Sequence, residues 1–189
     1  MKNRNSKIAL LFVLVLSFMS FTLLTQKDIN VEKSQVNWKG YKVTGQHEGT
    51  ISLTSGNLIF DGETLTGGSF LMDMTSISTT DLEGEYKGKL DGHLKSADFF
   101  GVEKFPTASL EFVYVSGKEG SYKVKANLTI KETTKSVEFS MTVKDNTATA
   151  SLKIDRTEYD IKYGSSSFFD GLKDKAIYDD FDLNVTLTF

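Results

Sequence analysis

Apolar and polar residues alternate along most of the chain from residue 35 onward, which is the pattern of a β-strand with one buried face. In the segment 35–43, Val36 and Trp38 share one face, and Asn37 and Lys39 share the other. The same alternation recurs at residues 45–54, 57–61, 65–74, 108–115, 122–130, 137–143, 148–154 and 181–189. The pattern therefore predicts about nine strands, each with one apolar face.

Most connections between these segments are short and polar, as at 116–120 and 144–146, which favours antiparallel neighbours in a meander. Two insertions are longer, at residues 75–107 and 163–180. Strands with one apolar face can form either a two-sheet sandwich or a closed barrel. A barrel suits long strands that lack protection at their edges.

Residues 91–106 interrupt the alternation. Asp91 can cap the start of a short helix and Gly101 can end it. Three phenylalanines lie close together in this stretch: Phe99, Phe100 and Phe105. Because such a cluster needs an apolar surface to cover, the stretch is predicted to form a plug or lid over the β structure.

The N-terminus has the layout of a secretory signal. Three basic residues precede an apolar run from residue 8 to residue 24. As a helix these seventeen residues span roughly 25 Å, short of the ~30 Å core of a bilayer. We therefore predict a signal peptide at 1–26 and one domain at 27–189, located in the periplasm or extracellularly, with an uncleaved anchor as the alternative.

The chain contains no cysteine, so no disulfide braces the fold. Its net charge is −3, and without the predicted leader the charge is about −6, from 19 basic and 25 acidic residues. An acidic domain lacks the basic face that a phosphate backbone requires. No nucleic-acid partner is expected.

Sequence motifs for catalysis are missing. There is no cysteine nucleophile and no G-x-S-x-G elbow, and the two histidines do not form an H-E-x-x-H pattern. A zinc site usually needs three or four protein ligands. The sequence therefore predicts neither an enzyme nor a metal site.

Two polar residues have inward positions by alternation. His47 shares the parity of Ile51, and it is either a hydrogen-bonded core residue or a contact for the polar head of a ligand. Arg156 continues the inward face of the segment 148–154, and a buried guanidinium needs a partner. That partner is either an anionic ligand group or a carboxylate from the set Asp73, Asp91, Asp98 and Asp179.

Several short motifs occur in one order along the chain. They lie at 36–40 (VNWKG), 45–49 (GQHEG), 56–61, 65–68, 73–78, 93–106, 127–135 and 155–163. In sequence and spacing they resemble the YceI-like family of secreted, polyisoprenoid-binding, lipocalin-like proteins. The stretch 93–106 is the most specific of these motifs.

The resemblance implies an all-β fold, an eight-stranded antiparallel lipocalin-like β-barrel with a short helix or lid insertion. It also implies non-enzymatic sequestration or transport of a long isoprenoid or similar amphiphilic lipid, or an isoprenoid quinone, in the barrel interior, with no other cofactor. The partner is then a hydrophobic ligand, and a transient membrane contact and a homodimer stay open.

Inward parity and the resemblance together give a set of expected ligand contacts. They are Trp38, His47, Ile51, Phe70, Met72, Phe99, Phe100, Phe112, Tyr114, Phe139, Met141 and Arg156. Two alternatives remain: an enzyme that acts on a lipid or quinone with His47 as acid or base, and a filled barrel that serves as a structural or interaction module.

Overall fold

The computed structural model describes residues 23–189, and within them the chain forms nine β-strands and one α-helix. In chain order these are β1 (Leu24–Asp28), β2 (Gln35–Lys42), β3 (Gly45–Asp61), β4 (Thr64–Thr79), α1 (Gly84–Lys95), β5 (Thr107–Lys118), β6 (Ser121–Ile130), β7 (Thr133–Lys144), β8 (Thr147–Asp155) and β9 (Ile177–Thr188). Residues 1–22 of the predicted leader lie outside the described residues, whereas residues 24–26 belong to β1.

The strands form a closed barrel. All neighbours pair antiparallel, and the order β3-β2-β9-β8-β7-β6-β5-β4 returns to β3 through the β3–β4 pairing. Strand β1 pairs with the C-terminal part of β3, residues 57–61, where Asp28 pairs with Asn57. This topology confirms the eight-stranded antiparallel barrel and excludes the sandwich.

The predicted alternation determines which side chains form the core. On β6 every second residue is buried, from Tyr122 to Ile130, and β8 follows the same rule. The segments predicted at 45–54 and 57–61 are one strand, β3. They stay continuous because Gly56 lets the Phe70 ring lie against the backbone; an added Cβ would be 2.6 Å from Phe70 Cδ1.

A β-bulge on β5 changes the inward parity within the strand. Phe112 pairs with Ala126 of β6, and Tyr114, two residues later on β5, pairs with Lys125, which is the direct neighbour of Ala126 on β6. The residue between them on β5, Val113, therefore has no partner on β6. As a result Tyr114 is 63% exposed, and Val115 packs against the core. The prediction that Tyr114 faces the interior is wrong.

Helix α1 begins earlier than predicted, and Asp91 does not cap it. Its N-cap residue is Glu83, and Asp91 lies in the last turns. Instead, the Asp91 carboxylate accepts hydrogen bonds from Thr79 N at 2.7 Å and Ser78 Oγ at 3.2 Å, which fastens α1 to the end of β4. Beyond the helix, Phe99 and Phe100 are buried and cover this end of the barrel.

Gly49 on β3 lies under the Trp38 indole and against the backbone of Ser78. An added Cβ would be 2.6 Å from Trp38 Cζ2 and closer still to the Ser78 carbonyl oxygen, so the backbone would have to move. We expect Gly49→Ala to lower the free energy of unfolding by about 2–3 kcal/mol, measured by urea denaturation.

The matched control is Gly40→Ala on the neighbouring strand β2. A Cβ at Gly40 meets no described atom within 4 Å, so this substitution should change the unfolding free energy little. Equal stabilities of the two variants would contradict the proposed close contact at Gly49.

Candidate functional site

The barrel encloses an apolar cavity with about 90 Å³ of free space. This is less than the ~300–1,000 Å³ of typical small-molecule sites, so a long chain can enter only if side chains of the wall move. All twenty lining residues are apolar, and all eight barrel strands contribute to the wall. Because no polar side chain lines it, the cavity can hold a hydrocarbon but offers nothing to orient a small polar molecule.

Seven of the predicted contact residues line this cavity. They are Ile51, Phe70, Met72, Phe100, Phe112, Phe139 and Met141. The wall also contains residues that the prediction left out, chiefly on β8 and β9: Ala150, Leu152, Phe181, Leu183, Val185 and Leu187. The period-two alternation of these strands was the signal that could have identified them.

Aromatic and thioether side chains form one side of the cavity wall. Phe112 packs between Phe70 and Phe139, with ring centroids 5.7 Å and 5.9 Å apart. Met72 and Met141 complete this side of the wall. Methionine adapts its shape easily, so the wall can adjust to a flexible chain.

A second apolar space, which we call the passage, lies between the cavity and helix α1. Its free space is about 70 Å³, and Ile51, Phe100 and Phe181 line both it and the cavity. The passage is bounded on its outer side by Trp38 and Phe99. Phe100 therefore lies at the junction between the interior and the end of the barrel.

The passage adjoins a depression on the surface, which we call the outer depression. The two share Trp38, Gly40, Phe99 and other residues of β2, α1 and β9. The outer depression is also lined by His47 and His93. Cavity, passage and outer depression share lining residues and follow one another from the interior to the surface beside α1.

Arg156 is buried at the passage and bonded by the protein itself. Its Nε donates to Tyr178 O at 3.1 Å, Nη1 to Ile161 O at 2.6 Å, and Nη2 to Ile177 O at 3.0 Å. The Asp179 carboxylate lies 3.6 Å from Nη2. Burial lowers the pKa of Arg156, against the opposing effect of Asp179. Of the two partners considered for Arg156, the structure therefore contains the carboxylate.

His47 lies at the rim of the barrel, and its side chain does not point into the cavity. Its Nδ1 is 2.9 Å from Asp81 Oδ2, and Glu48 N donates to the other oxygen of Asp81 at 3.2 Å. Burial raises the pKa of Asp81, but these hydrogen bonds outweigh burial and lower it overall. The inward position predicted for His47 is wrong, because β3 extends past the end of the barrel here. The contacts of His47 and Glu48 with Asp81 connect β3 to the segment after β4.

The Asp91 carboxylate makes the attachment of α1 sensitive to acid. Burial raises its pKa, but hydrogen bonds from Thr79 and Lys87 outweigh burial and lower the pKa to about 2, from 3.8. Because the folded-state pKa lies below the unfolded one, the ionised group stabilises the fold above pH 4, and this contribution is lost between about pH 4 and pH 2.

We expect Asp91→Asn to lower the free energy of unfolding by about 2 kcal/mol at pH 7 and by much less at pH 2. Urea denaturation at both pH values measures the difference. The matched control is Glu85→Gln, which removes an exposed ion pair with Lys89 on the same helix and should have little effect at either pH. If the unfolding free energies of Asp91→Asn and the unsubstituted protein differ by the same amount at both pH values, this role of Asp91 is contradicted.

Residues 23–189 contain no group of three or more His, Asp or Glu side chains placed to hold a metal ion. The helices among them are too short or too polar to cross a membrane.

The fold and the site define a class of protein: a closed eight-stranded antiparallel barrel with an apolar cavity and one short helix attached to the end of β4. The sequence profile described as the YceI-like domain matches residues 28–189. The chain therefore belongs to the YceI-like family, which confirms the resemblance seen in the sequence. A comparison with curated proteins gives no match.

Solved structures share this fold at low sequence identity. BcnA of Burkholderia cenocepacia superposes with a TM-score of 0.67 at 18% identity, covering 85% of this chain and 99% of BcnA. A polyisoprenoid binding domain from Saccharophagus degradans, described as implicated in plant cell wall breakdown, gives 0.61 at 14% identity, covering 88% and 99%. The YCEI protein of Campylobacter jejuni gives 0.52 at 17% identity, covering 98% and 90%.

Proposed function

We propose that this protein binds the long isoprenoid chain of an amphiphilic lipid inside the barrel and sequesters or carries it without covalent chemistry. The observation that carries the proposal is the wholly apolar lining of the cavity, to which all eight barrel strands contribute, with a second apolar space between the cavity and helix α1. The relative from Saccharophagus degradans is described as a polyisoprenoid binding domain, and it shares this fold. Membership of the YceI-like family supports the same function.

The cavity favours long chains over short ones. Each buried methylene contributes about 0.8 kcal/mol, so a ten-carbon tail gains roughly 8 kcal/mol. This gain only matches the ~4–15 kcal/mol that association costs. Because the wall supplies no polar anchor, affinity has to come from chain length.

The surface around the outer depression suits contact with a membrane from which a lipid could be loaded. Tyr86 is 74% exposed, and Phe168, Phe169 and Tyr178 are about half exposed. The segment that contains Phe168 and Phe169 runs beside α1, because Tyr163 packs on His93 with ring centroids 4.5 Å apart. Exposed aromatic rings favour the membrane–water interface. We infer that loading and release occur there, on the periplasmic or extracellular side to which the predicted leader directs the chain.

The site favours binding over catalysis. His47, the candidate acid or base, is held by Asp81 at the rim, and it does not line the apolar cavity.

Native mass spectrometry tests the proposed function. The protein is incubated with polyprenyl lipids of increasing chain length, and a 1:1 adduct is expected whose abundance rises with the length of the chain. A detergent-like single-chain fatty acid serves as the short control ligand. A bare polypeptide mass under gentle conditions, with no uptake of any polyprenyl lipid, would refute the proposal.

A further inference from the structure

Backbone pairing divides the barrel into two sheets. Strands β5, β6 and β7 pair with one another along most of their length, and we call these three strands the panel. Strands β8, β9, β2, β3 and β4 also pair extensively, and we call them the frame. Within residues 23–189, two short ladders connect the panel to the frame.

The two ladders lie at diagonally opposite corners of the panel. One joins Thr107–Glu111, at the start of β5, to Ser69–Asp73 of β4. The other joins Ser140–Lys144, at the end of β7, to Thr147–Ser151 of β8. Strands β5 and β7 run in the same direction, because each is antiparallel to β6 between them. The start of β5 and the end of β7 therefore lie at opposite ends of the barrel.

The other two corners of the panel are seams without backbone pairing. Among the described residues, Phe112–Lys118 of β5 has no partner on β4, and we call this corner the first seam. Thr133–Phe139 of β7 has no partner on β8, and we call this corner the second seam. Separating strands at a seam breaks no ladder hydrogen bonds, so it costs less free energy than separating a paired corner.

Side chains close both seams. At the first seam the Tyr122 hydroxyl accepts a hydrogen bond from Leu65 N at 3.3 Å and donates one to Glu63 O at 3.4 Å. At the second seam the short 3-10 helix Arg156–Tyr159 lies against β7, and Tyr159 is buried there. The two hydrogen bonds of Tyr122 are longer than usual. The panel is therefore fixed at two corners and only lightly held at the other two.

The cavity is too narrow for a lipid tail while the panel keeps this position. Its free space is about 90 Å³. The panel supplies much of the wall, including Phe112, Leu128 and Phe139. Because a protein core is closely packed, a single side chain cannot make room for a chain of many methylenes. Outward movement of the panel would widen the cavity along its length.

We propose that the panel bends outward at the two seams when a lipid tail enters, while the two short ladders stay intact as fixed points. The inference rests on the proposed binding of the tail in the cavity. Opening the first seam breaks the hydrogen bonds of Tyr122 with the start of β4, and opening the second moves β7 away from Tyr159. The seams thereby provide the volume that the closed barrel lacks.

Reversible cross-links across the seams test the proposal. The chain contains no cysteine, so cysteine pairs can be introduced without competing thiols. Thr64→Cys with Ser116→Cys spans the first seam, and Glu138→Cys with Lys153→Cys spans the second, at positions that continue the registers of the two ladders. A short bis-methanethiosulfonate reagent bridges each pair. Bridging either pair should abolish uptake of a fluorescent polyprenyl lipid, and removal of the bridge with a reductant should restore it.

The matched control is Thr142→Cys with Thr149→Cys, which face each other across the β7–β8 ladder. Bridging this pair should leave uptake unchanged, because that corner stays fixed. Full uptake in either bridged seam pair, or an equal loss in the bridged ladder pair, would overturn the proposal.

Tyr122→Phe tests the first seam without a cross-link. The variant lacks the hydroxyl that holds β4, so lipid uptake should become about two- to fivefold faster. The control Tyr114→Phe removes an exposed hydroxyl on β5 and should leave the uptake rate unchanged. An unaltered rate in Tyr122→Phe would contradict the role of the first seam. If the unsubstituted protein takes up no polyprenyl lipid, the proposed function itself fails, which distinguishes the two failures.

Discussion

Replacing Arg156 by methionine is expected to lower the free energy of unfolding by about 3–5 kcal/mol, the largest effect of any single substitution considered. The guanidinium is 2% exposed, and it satisfies three backbone carbonyls from two separate segments. Methionine fills a similar volume but leaves those carbonyls without their donor and removes the positive charge 3.6 Å from the Asp179 carboxylate. The stem of the segment between β8 and β9 would lose its main polar connection.

Urea denaturation measures the effect, and Lys153→Met is the control. Lys153 pairs with Asp182 at 3.0 Å on the exposed face of β8, the strand that ends just before Arg156, so its removal should change stability little. Arg156→Lys should fall between the two, because an ammonium keeps the charge but cannot reach three carbonyls at once. Equal stabilities of Arg156→Met and Lys153→Met would contradict the structural role of Arg156. They would favour the alternative that Arg156 binds an anionic group of a ligand.

Ala150→Phe is expected to weaken binding of a long polyprenyl lipid about a hundredfold. Ala150 lies on β8 and lines the cavity. A benzyl group there displaces about four methylenes of the chain, worth ~3 kcal/mol, which corresponds to a factor of about a hundred in affinity. The fold should survive at a cost of about 1–3 kcal/mol, because the added ring enters a narrow apolar space.

The control is Thr149→Phe, which adds the same ring one residue earlier, where the side chain faces solvent. It should leave both affinity and thermal midpoint close to those of the unsubstituted protein. Binding is measured by displacement of a fluorescent lipid, and stability by thermal denaturation. Full affinity in Ala150→Phe, with the protein folded, would place the lipid somewhere other than the cavity.

Alternation of apolar and polar residues was enough to predict the barrel strands because each strand buries one face over most of its length. On β6 and β8 this holds without interruption from Tyr122 to Ile130 and from Ala148 to Ile154. It fails on β5, where the bulge between Phe112 and Tyr114 reverses the faces. Nothing local at these two residues distinguishes a bulged strand from a regular one, since the bulge follows from pairing with β6.

The candidate site was predictable only in part, for a related reason. Phe70, Met72 and Met141 could be assigned to the interior from their own strands. The passage could not be predicted, because it brings Trp38 of β2 together with Leu94 of α1, and only the tertiary structure sets that distance. The roles of Asp91 and Asp81 were missed because their partners lie on other elements.

The electron density inside the barrel of crystals saturated with a long-chain polyprenol tests the central claim most directly. We predict continuous density that begins at the passage beside Trp38, runs past Phe100 and ends among Phe70, Phe139 and Met141. A cavity without lipid density, in protein that binds the polyprenol stoichiometrically in solution, would contradict the claim that the chain lies inside the barrel.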